Sequence, residues 1–226
     1  MLTRTTLVAS LALVPALALS ACGSDSGDQA ASPSDGSGTC SYPSSGPAAR
    51  PVKAPAAEPT ATGEVAATIK TNVGNLAITL DGKAAPCTVN SFLSLAAQDF
   101  FDDTPCPRIA DGPGFAMLQC GDPTGTTGGG PGYTVPDEVT GDEAYPAGTL
   151  AMANTGAPNS GGSQFFLVFG DTQLNPDYTV FGHLAPAGIK ILKAVGAKGD
   201  DGSNRAGGGH PNQPVTIKDV AVSAAK

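Results

Sequence analysis

The chain has 226 residues, a formal charge of −8 at pH 7 and a pI near 4.5. No basic run interrupts that acidic balance, which argues against a nucleic-acid partner. With 30 glycines, 20 prolines and no tryptophan, the composition points to short strands joined by turns rather than to a helical bundle.

The first 21 residues read as a targeting segment. Arg4 supplies positive charge, and Leu7 to Leu19 is an apolar run too short to span a bilayer. The run ends Leu19-Ser20-Ala21-Cys22, which resembles a bacterial lipobox; a plain secretory signal with a chance cysteine is the alternative. On the lipobox reading, residues 1–21 are removed as a lipoprotein signal peptide. Cys22 is then lipidated, with palmitate among the chains, and holds the protein at the extracytoplasmic face of the cell membrane. Residues 22–63 read as a lipid-anchored flexible linker of Gly, Ser, Ala, Pro, Asp and Thr without apolar period. As a coil it would span roughly 35 Å r.m.s.. Cys40 and Tyr42 are its only features that look sticky.

The folded domain is expected over residues 64–226. Val65, Ala67 and Ile69 alternate, as do Leu76, Ile78 and Leu80, with an Asn72–Asn75 turn between them, which predicts a β-hairpin. After Pro86 a helix is expected to about Phe100, because Val89, Phe92, Leu93 and Ala96 form one stripe. Strands follow at Pro105–Ile109 and Phe115–Cys120, then a Gly/Pro/Thr loop over Gly121–Gly132. That loop has three consecutive glycines but no lysine, so it does not match a phosphate-binding loop. A short strand is expected at Tyr133–Val139, a strand at Thr179–His183, a second helix at Pro186–Val195 and a last strand at Val215–Val222.

The stretch Ala151–Gly170 organises the rest. Two apolar, β-prone runs flank a loop that can only turn, and each carries an amide, Asn154 and Gln164. A hairpin in a β core is one reading. A peptide-binding groove, with the amides as hydrogen-bonding groups and Phe166 as an apolar wall, is the other. The element count favours a mainly β fold, a closed antiparallel barrel of about eight strands with two helices at its ends.

Four blocks then carry a resemblance. They are Pro107-Arg108-Ile109 with Met117-Leu118-Gln119-Cys120-Gly121-Asp122, Met152-Ala153-Asn154, Gly162-Ser163-Gln164-Phe165-Phe166, and Val180-Phe181-Gly182. In order and spacing they resemble the cyclophilin family of peptidyl-prolyl cis-trans isomerases (rotamases) over nearly all of Glu64–Val222. The lipobox, linker, LQCGDPTG and YPAGT strings look like the exported actinobacterial form. The resemblance implies an eight-stranded antiparallel barrel capped by two helices, and an enzyme that assists folding by rotating Xaa-Pro bonds without cofactor or metal. It implies a catalytic role for Arg108, with Gln119 as the amide beside it. Met117, Phe166 and Leu174 would wall a proline pocket, and Ala153, Asn154, Thr155 and Gln164 would line the groove. Three positions depart from the family pattern. Ala116 stands where a pocket phenylalanine is expected, with Phe115 one step earlier. Gln173 replaces a loop tryptophan, which implies weak cyclosporin binding. Tyr178 replaces an active-site histidine and keeps an aromatic wall.

The implied partners are proline-containing segments of exported polypeptides, met by a membrane-tethered monomer. A non-catalytic proline-peptide-binding module is the alternative, drawn from Ala116. His183 and His210 have no metal-ligand or triad companions in the sequence. With Cys22 assigned to lipid, four cysteines remain in an oxidising compartment. Three pairings are open, and free thiols are a further option. Cys106–Cys120 is preferred, because the two lie on consecutive strands about the Gly112 turn, and Cys40–Cys87 then follows.

Overall fold

The computed structural model describes residues 38–223. The signal-peptide and Cys22 lipidation expectations lie outside the described residues. The first hairpin forms as the alternation requires. β1 (Glu64–Thr71) pairs antiparallel with β2 (Gly74–Asp81), Glu64 opposite Asp81 and Thr71 opposite Gly74. Ala67, Ile69, Leu76, Ile78 and Leu80 are buried on one face. Helix α1 (Pro86–Ala96) follows, with proline in its first turn, where the missing N–H costs nothing. It stops short of the expected Phe100. Asp99 takes a left-handed φ of 55°, and the Phe100 N–H turns back to the Leu95 carbonyl.

The residue before α1, Ala85, offers no capping side chain. Glu138 supplies the cap from a distant loop, accepting the Cys87 N–H at 2.8 Å and the Thr88 N–H at 2.9 Å. Burial pushes the Glu138 carboxyl above its ordinary value, and those hydrogen bonds oppose the shift. Glu138→Ala is expected to cost about 1–3 kcal/mol, because it strands two amide donors. Urea denaturation with an unchanged m-value checks this.

The remaining elements are β3 (Thr104–Pro105), β4 (Arg108–Gly112), β5 (Phe115–Cys120), β6 (Thr149–Met152), β7 (Phe165–Val168), β8 (Val180–Leu184), α2 (Pro186–Gly196) and β9 (Thr216–Val222). One antiparallel sheet runs β3-β9-β1-β2-β8-β6-β7-β5-β4. The mainly β class and the two helices agree with expectation, but there are nine strands where eight were expected. The expected Pro105–Ile109 strand is divided at Cys106–Pro107. Pro107 has no N–H to give a ladder, and the Cys106 N–H bonds the Val215 carbonyl instead. This broken segment also joins the edges of the sheet. β3 pairs with β9, β4 pairs with β5, and Ile109 exchanges backbone hydrogen bonds with Gly209 at 2.8 and 3.0 Å.

Two further expectations fail among the described residues. Tyr133–Val139 is not a strand. Single bridges, Ser44 to Tyr133 and Val135 to Gly161, hold it. The flexible linker expected through Gly63 does not describe residues 38–63, which pack against the domain. Cys40 is joined to Cys87, the Tyr42 hydroxyl donates to the Cys87 carbonyl at 2.9 Å, and Arg50 donates to the carbonyls of Asp99 and Asp102. Cys106 is joined to Cys120.

Pleat alternation gives the sheet two apolar faces. On β5, Ala116, Leu118 and Cys120 enter the main core with Phe92, Phe101, Phe165 and Phe181. Met117 faces the other way, into a separate cluster with Tyr145, Ala151, Phe166 and Val168. The site is built on that second face.

Candidate active site

Strand register sets the site. Arg108 on β4 lies opposite Gln119 on β5, which lies opposite Phe166 on β7. Met117 and Val168, a further pair on the same face, extend the apolar surface beside them. Leu174, Tyr178, Phe115 and Ala153 pack onto its rim. The resemblance implied Met117, Phe166 and Leu174 as walls of a proline pocket and Tyr178 as an aromatic wall, and the fold brings the four into one apolar cluster.

Phe115 corrects the reading of the missing wall. Ala116 is buried in the barrel core, whereas Phe115, two residues before Met117, stands on the pocket face. Tyr145 is a second residue that sequence reasoning missed. Its hydroxyl donates to the Tyr178 carbonyl at 3.2 Å and accepts the Tyr178 N–H at 3.0 Å. Its ring meets Phe166 and Tyr178 at centroid distances of 6.2 and 6.0 Å. Tyr145 lies in an irregular segment without periodicity, so only the YPAGT string marked it.

Arg108 is fixed from three sides. Its Nε donates to the Gly207 carbonyl at 2.9 Å, Nη2 to the Ala206 carbonyl at 2.8 Å and Nη1 to Gln119 Oε1 at 3.3 Å. A guanidinium has five N–H donors, so one remains on each terminal nitrogen. The guanidinium carbon sits 5.3 Å from the centroid of the Phe115 ring, at the pocket edge. Burial moves its pKa below the ordinary value, but a guanidinium stays charged.

The two glutamines form a one-way relay. Gln164 Nε2 donates to the carbonyls of Thr127 and Gly129 at 3.0 and 2.9 Å. Its Oε1 must then accept from Gln119 Nε2, at 2.8 Å, which turns Gln119 Oε1 toward Arg108. Neither amide can flip without placing like groups against each other. Asn154 holds its loop with its side chain, donating to the Asp177 carbonyl and accepting the Gly156 N–H. Ala153 donates its N–H to the Gln164 carbonyl, and the exposed Thr155 donates its N–H to Ser160 Oγ.

Asp122 anchors the loop that Gln164 reads. It accepts the amides of Thr124, Thr126 and Gly129 and the Thr124 hydroxyl. Burial raises the Asp122 carboxyl, but the Thr124 hydroxyl and the amides of Gly129, Thr124 and Thr126 outweigh it and hold the pKa below its ordinary value. A depressed carboxyl contributes stability that is complete above the unfolded value, about 3.9, and lost as pH falls through the folded value. The Gly129 amide resonance is therefore expected to hold its position down to about pH 4 and to shift below it, and Asp122→Asn to abolish that acid step. Two-dimensional NMR across the titration checks this.

Among the described residues, no group of three His, Cys, Asp or Glu side chains could hold a metal ion. What the fold and site define is a curled antiparallel β-sheet that carries an apolar cluster beside a fixed arginine. The chain belongs to the cyclophilin-type peptidyl-prolyl cis-trans isomerase family, whose sequence model matches residues 66–222. It is 43% identical over 169 residues to a probable peptidyl-prolyl cis-trans isomerase B of Mycobacterium tuberculosis, covering 70% of this chain and 53% of the relative. A probable isomerase A of Mycobacterium leprae is 36% identical over 178 residues, covering 70% of this chain and 91% of the relative. The chain thus spans about half the length of the isomerase B relative. A crystal structure of a Cryptosporidium parvum cyclophilin-type isomerase in the presence of the dipeptide Ala-Pro has a TM-score of 0.62 at 32% identity. That match covers 71% of this chain and 99% of the other.

Proposed function

We propose that the chain is a peptidyl-prolyl cis-trans isomerase that accelerates Xaa-Pro rotation in exported proteins and so assists their folding. The observation that carries this reading is Arg108, held by three hydrogen bonds beside the Phe115 ring at the rim of the apolar cluster, with N–H groups to spare. Uncatalysed rotation takes tens to hundreds of seconds, because amide resonance must be broken. No bond is made or cleaved. As the C–N bond twists, the prolyl nitrogen's lone pair localises, and an N–H of Arg108 stabilises it. The pocket of Phe115, Met117, Phe166, Leu174 and Tyr178 holds the ring while the acyl side turns. A five-decade acceleration requires roughly 7 kcal/mol of differential stabilisation, shared by the arginine, groove hydrogen bonds and exclusion of water. The Ala-Pro dipeptide used with the Cryptosporidium relative supports a proline-containing ligand. The non-catalytic alternative drew on Ala116, and Phe115 on the pocket face removes that ground. The test is the cis-to-trans rate of Ala-Pro and Leu-Pro peptides, expected to rise in proportion to protein concentration; a rate that stays at the uncatalysed value rejects the reading.

The same proposal places the protein as a monomer on the extracytoplasmic face of the cell membrane, anchored through lipid on Cys22. The Leu19–Cys22 lipobox supports the anchor, and two disulfides suit an oxidising compartment. Val139 and Val222 are the only large apolar side chains exposed among the described residues, which supports the monomer. Cys22→Ser is expected to move the protein from the membrane fraction to the soluble one, and a variant that stays with the membrane rejects the anchor.

A further inference from the structure

A cleft of about 360 Å³ opens beside the Met117–Phe166 apolar cluster. Ala153 lines the cleft and packs against the Met117–Phe166 cluster, and Gln119, which also lines the cleft, hydrogen-bonds Arg108, so a peptide seated on that cluster reaches the cleft with a neighbouring residue. One wall lies outside the region that the family model matches, because Ser45 and Pro47 come from the segment before residue 66. We infer that this N-terminal strap is part of the peptide-binding surface and helps to select the side chain flanking the substrate proline.

The strap is built to stay there. The Ser45 N–H donates to the Gly132 carbonyl at 3.0 Å, Ala49 N–H to the Gly130 carbonyl at 2.8 Å, and Thr134 N–H to the Pro43 carbonyl at 2.9 Å. Gly132, at φ +82°, lets the two backbones meet, because a Cβ there would lie 3.1 Å from the Gly46 carbonyl oxygen and the Ala48 nitrogen. Upstream, the Cys40–Cys87 disulfide and the Tyr42 hydroxyl fasten the strap to α1. Ser45 and Pro47 themselves are exposed, so their side chains can change without disturbing the core. Thr155 and Ser160 hydroxyls and glycine backbone line much of the rest of the cleft, which suits a polar, uncharged side chain.

The inference rests on the reading of the site as a proline-peptide groove. Its test compares a short Ala-Pro peptide with the same peptide extended by two glutamine residues, on either side of the proline, binding to the full chain. The quantity read is the ratio of the extended peptide's affinity to the short one's. In the native chain one extended peptide is expected to bind at least about fivefold tighter. Ser45→Trp and Pro47→Trp, which crowd the cleft mouth, are expected to abolish that ratio, and Cys40→Ala/Cys87→Ala, which frees the strap, to reduce it. A native ratio near one, or a ratio that both tryptophan variants leave intact, overturns the inference. Isomerisation rates from the same samples separate the two readings. Strap-dependent binding without turnover removes the isomerase and keeps the cleft, whereas turnover with a strap-independent ratio removes only the cleft.

Discussion

Arg108→Ala is expected to lower kcat/KM on an Ala-Pro test peptide about a hundredfold, the usual effect of removing one fixed donor from a developing charge. Stopped-flow or coupled peptide assays read it directly. Little of this loss should come from unfolding. Arg108 is half-buried at the sheet's rim, while Ile109 beside it is 1% exposed and carries the core contact. Arg108→Lys is expected to recover only part of the activity. An ammonium keeps the charge but has no planar fork to satisfy Ala206, Gly207 and Gln119 at once. A lysine variant with full activity would show that charge alone suffices and that the guanidinium geometry is incidental.

The largest expected loss of stability lies at Phe92. Its side chain is 2% exposed, and its ring stands 5.1 Å from Phe101, 5.5 Å from Phe165 and 5.6 Å from Phe181 by centroid. This aromatic group joins α1 to β7 and β8, so a cavity there loosens the helix and the sheet behind the pocket together. Phe92→Ala is expected to cost about 3–5 kcal/mol. That corresponds to a fall in Tm of roughly 10 °C for a domain of this size. Thermal unfolding followed by circular dichroism checks it. A change under about 1 kcal/mol would mean that the neighbouring rings collapse into the space.

Which parts of this were legible beforehand follows from where side chains carry a period. The β1–β2 hairpin was readable because Ala67, Ile69, Leu76, Ile78 and Leu80 alternate around a turn. The α1 stripe was readable for the same reason, though its end was not, since the reversal at Asp99 lies in backbone angles. The division of β3 from β4 was only half legible, because Pro107 stands in the sequence as a break signal, whereas the Cys106 hydrogen bond to Val215 depends on the fold. The strap was misread as linker because carbonyl and amide groups and one disulfide hold it, not an apolar pattern. Cys40 and Tyr42 were its visible traces. At the site, Gln164 and Phe166 were legible as an amide and an aromatic flanking a turn, while Arg108, Gln119, Met117 and Leu174 came from the resemblance of the motif blocks to the cyclophilin family. Phe115 was obscured because matching by position put Ala116 in its place, whereas the pleat decides which of the two faces the pocket. Tyr145 and the Ala206–Gly207 carbonyls sit in loops whose path the sequence does not reveal.

Exchange spectroscopy by NMR on an equilibrium mixture of cis and trans Ala-Pro peptide tests the central claim most directly, because it separates binding from catalysis. With the protein at a small fraction of the peptide concentration, cis–trans exchange cross-peaks are expected, and they should largely vanish with Arg108→Ala. Peptide shifts without exchange cross-peaks in the native protein would contradict the isomerase reading and leave a proline-peptide binder.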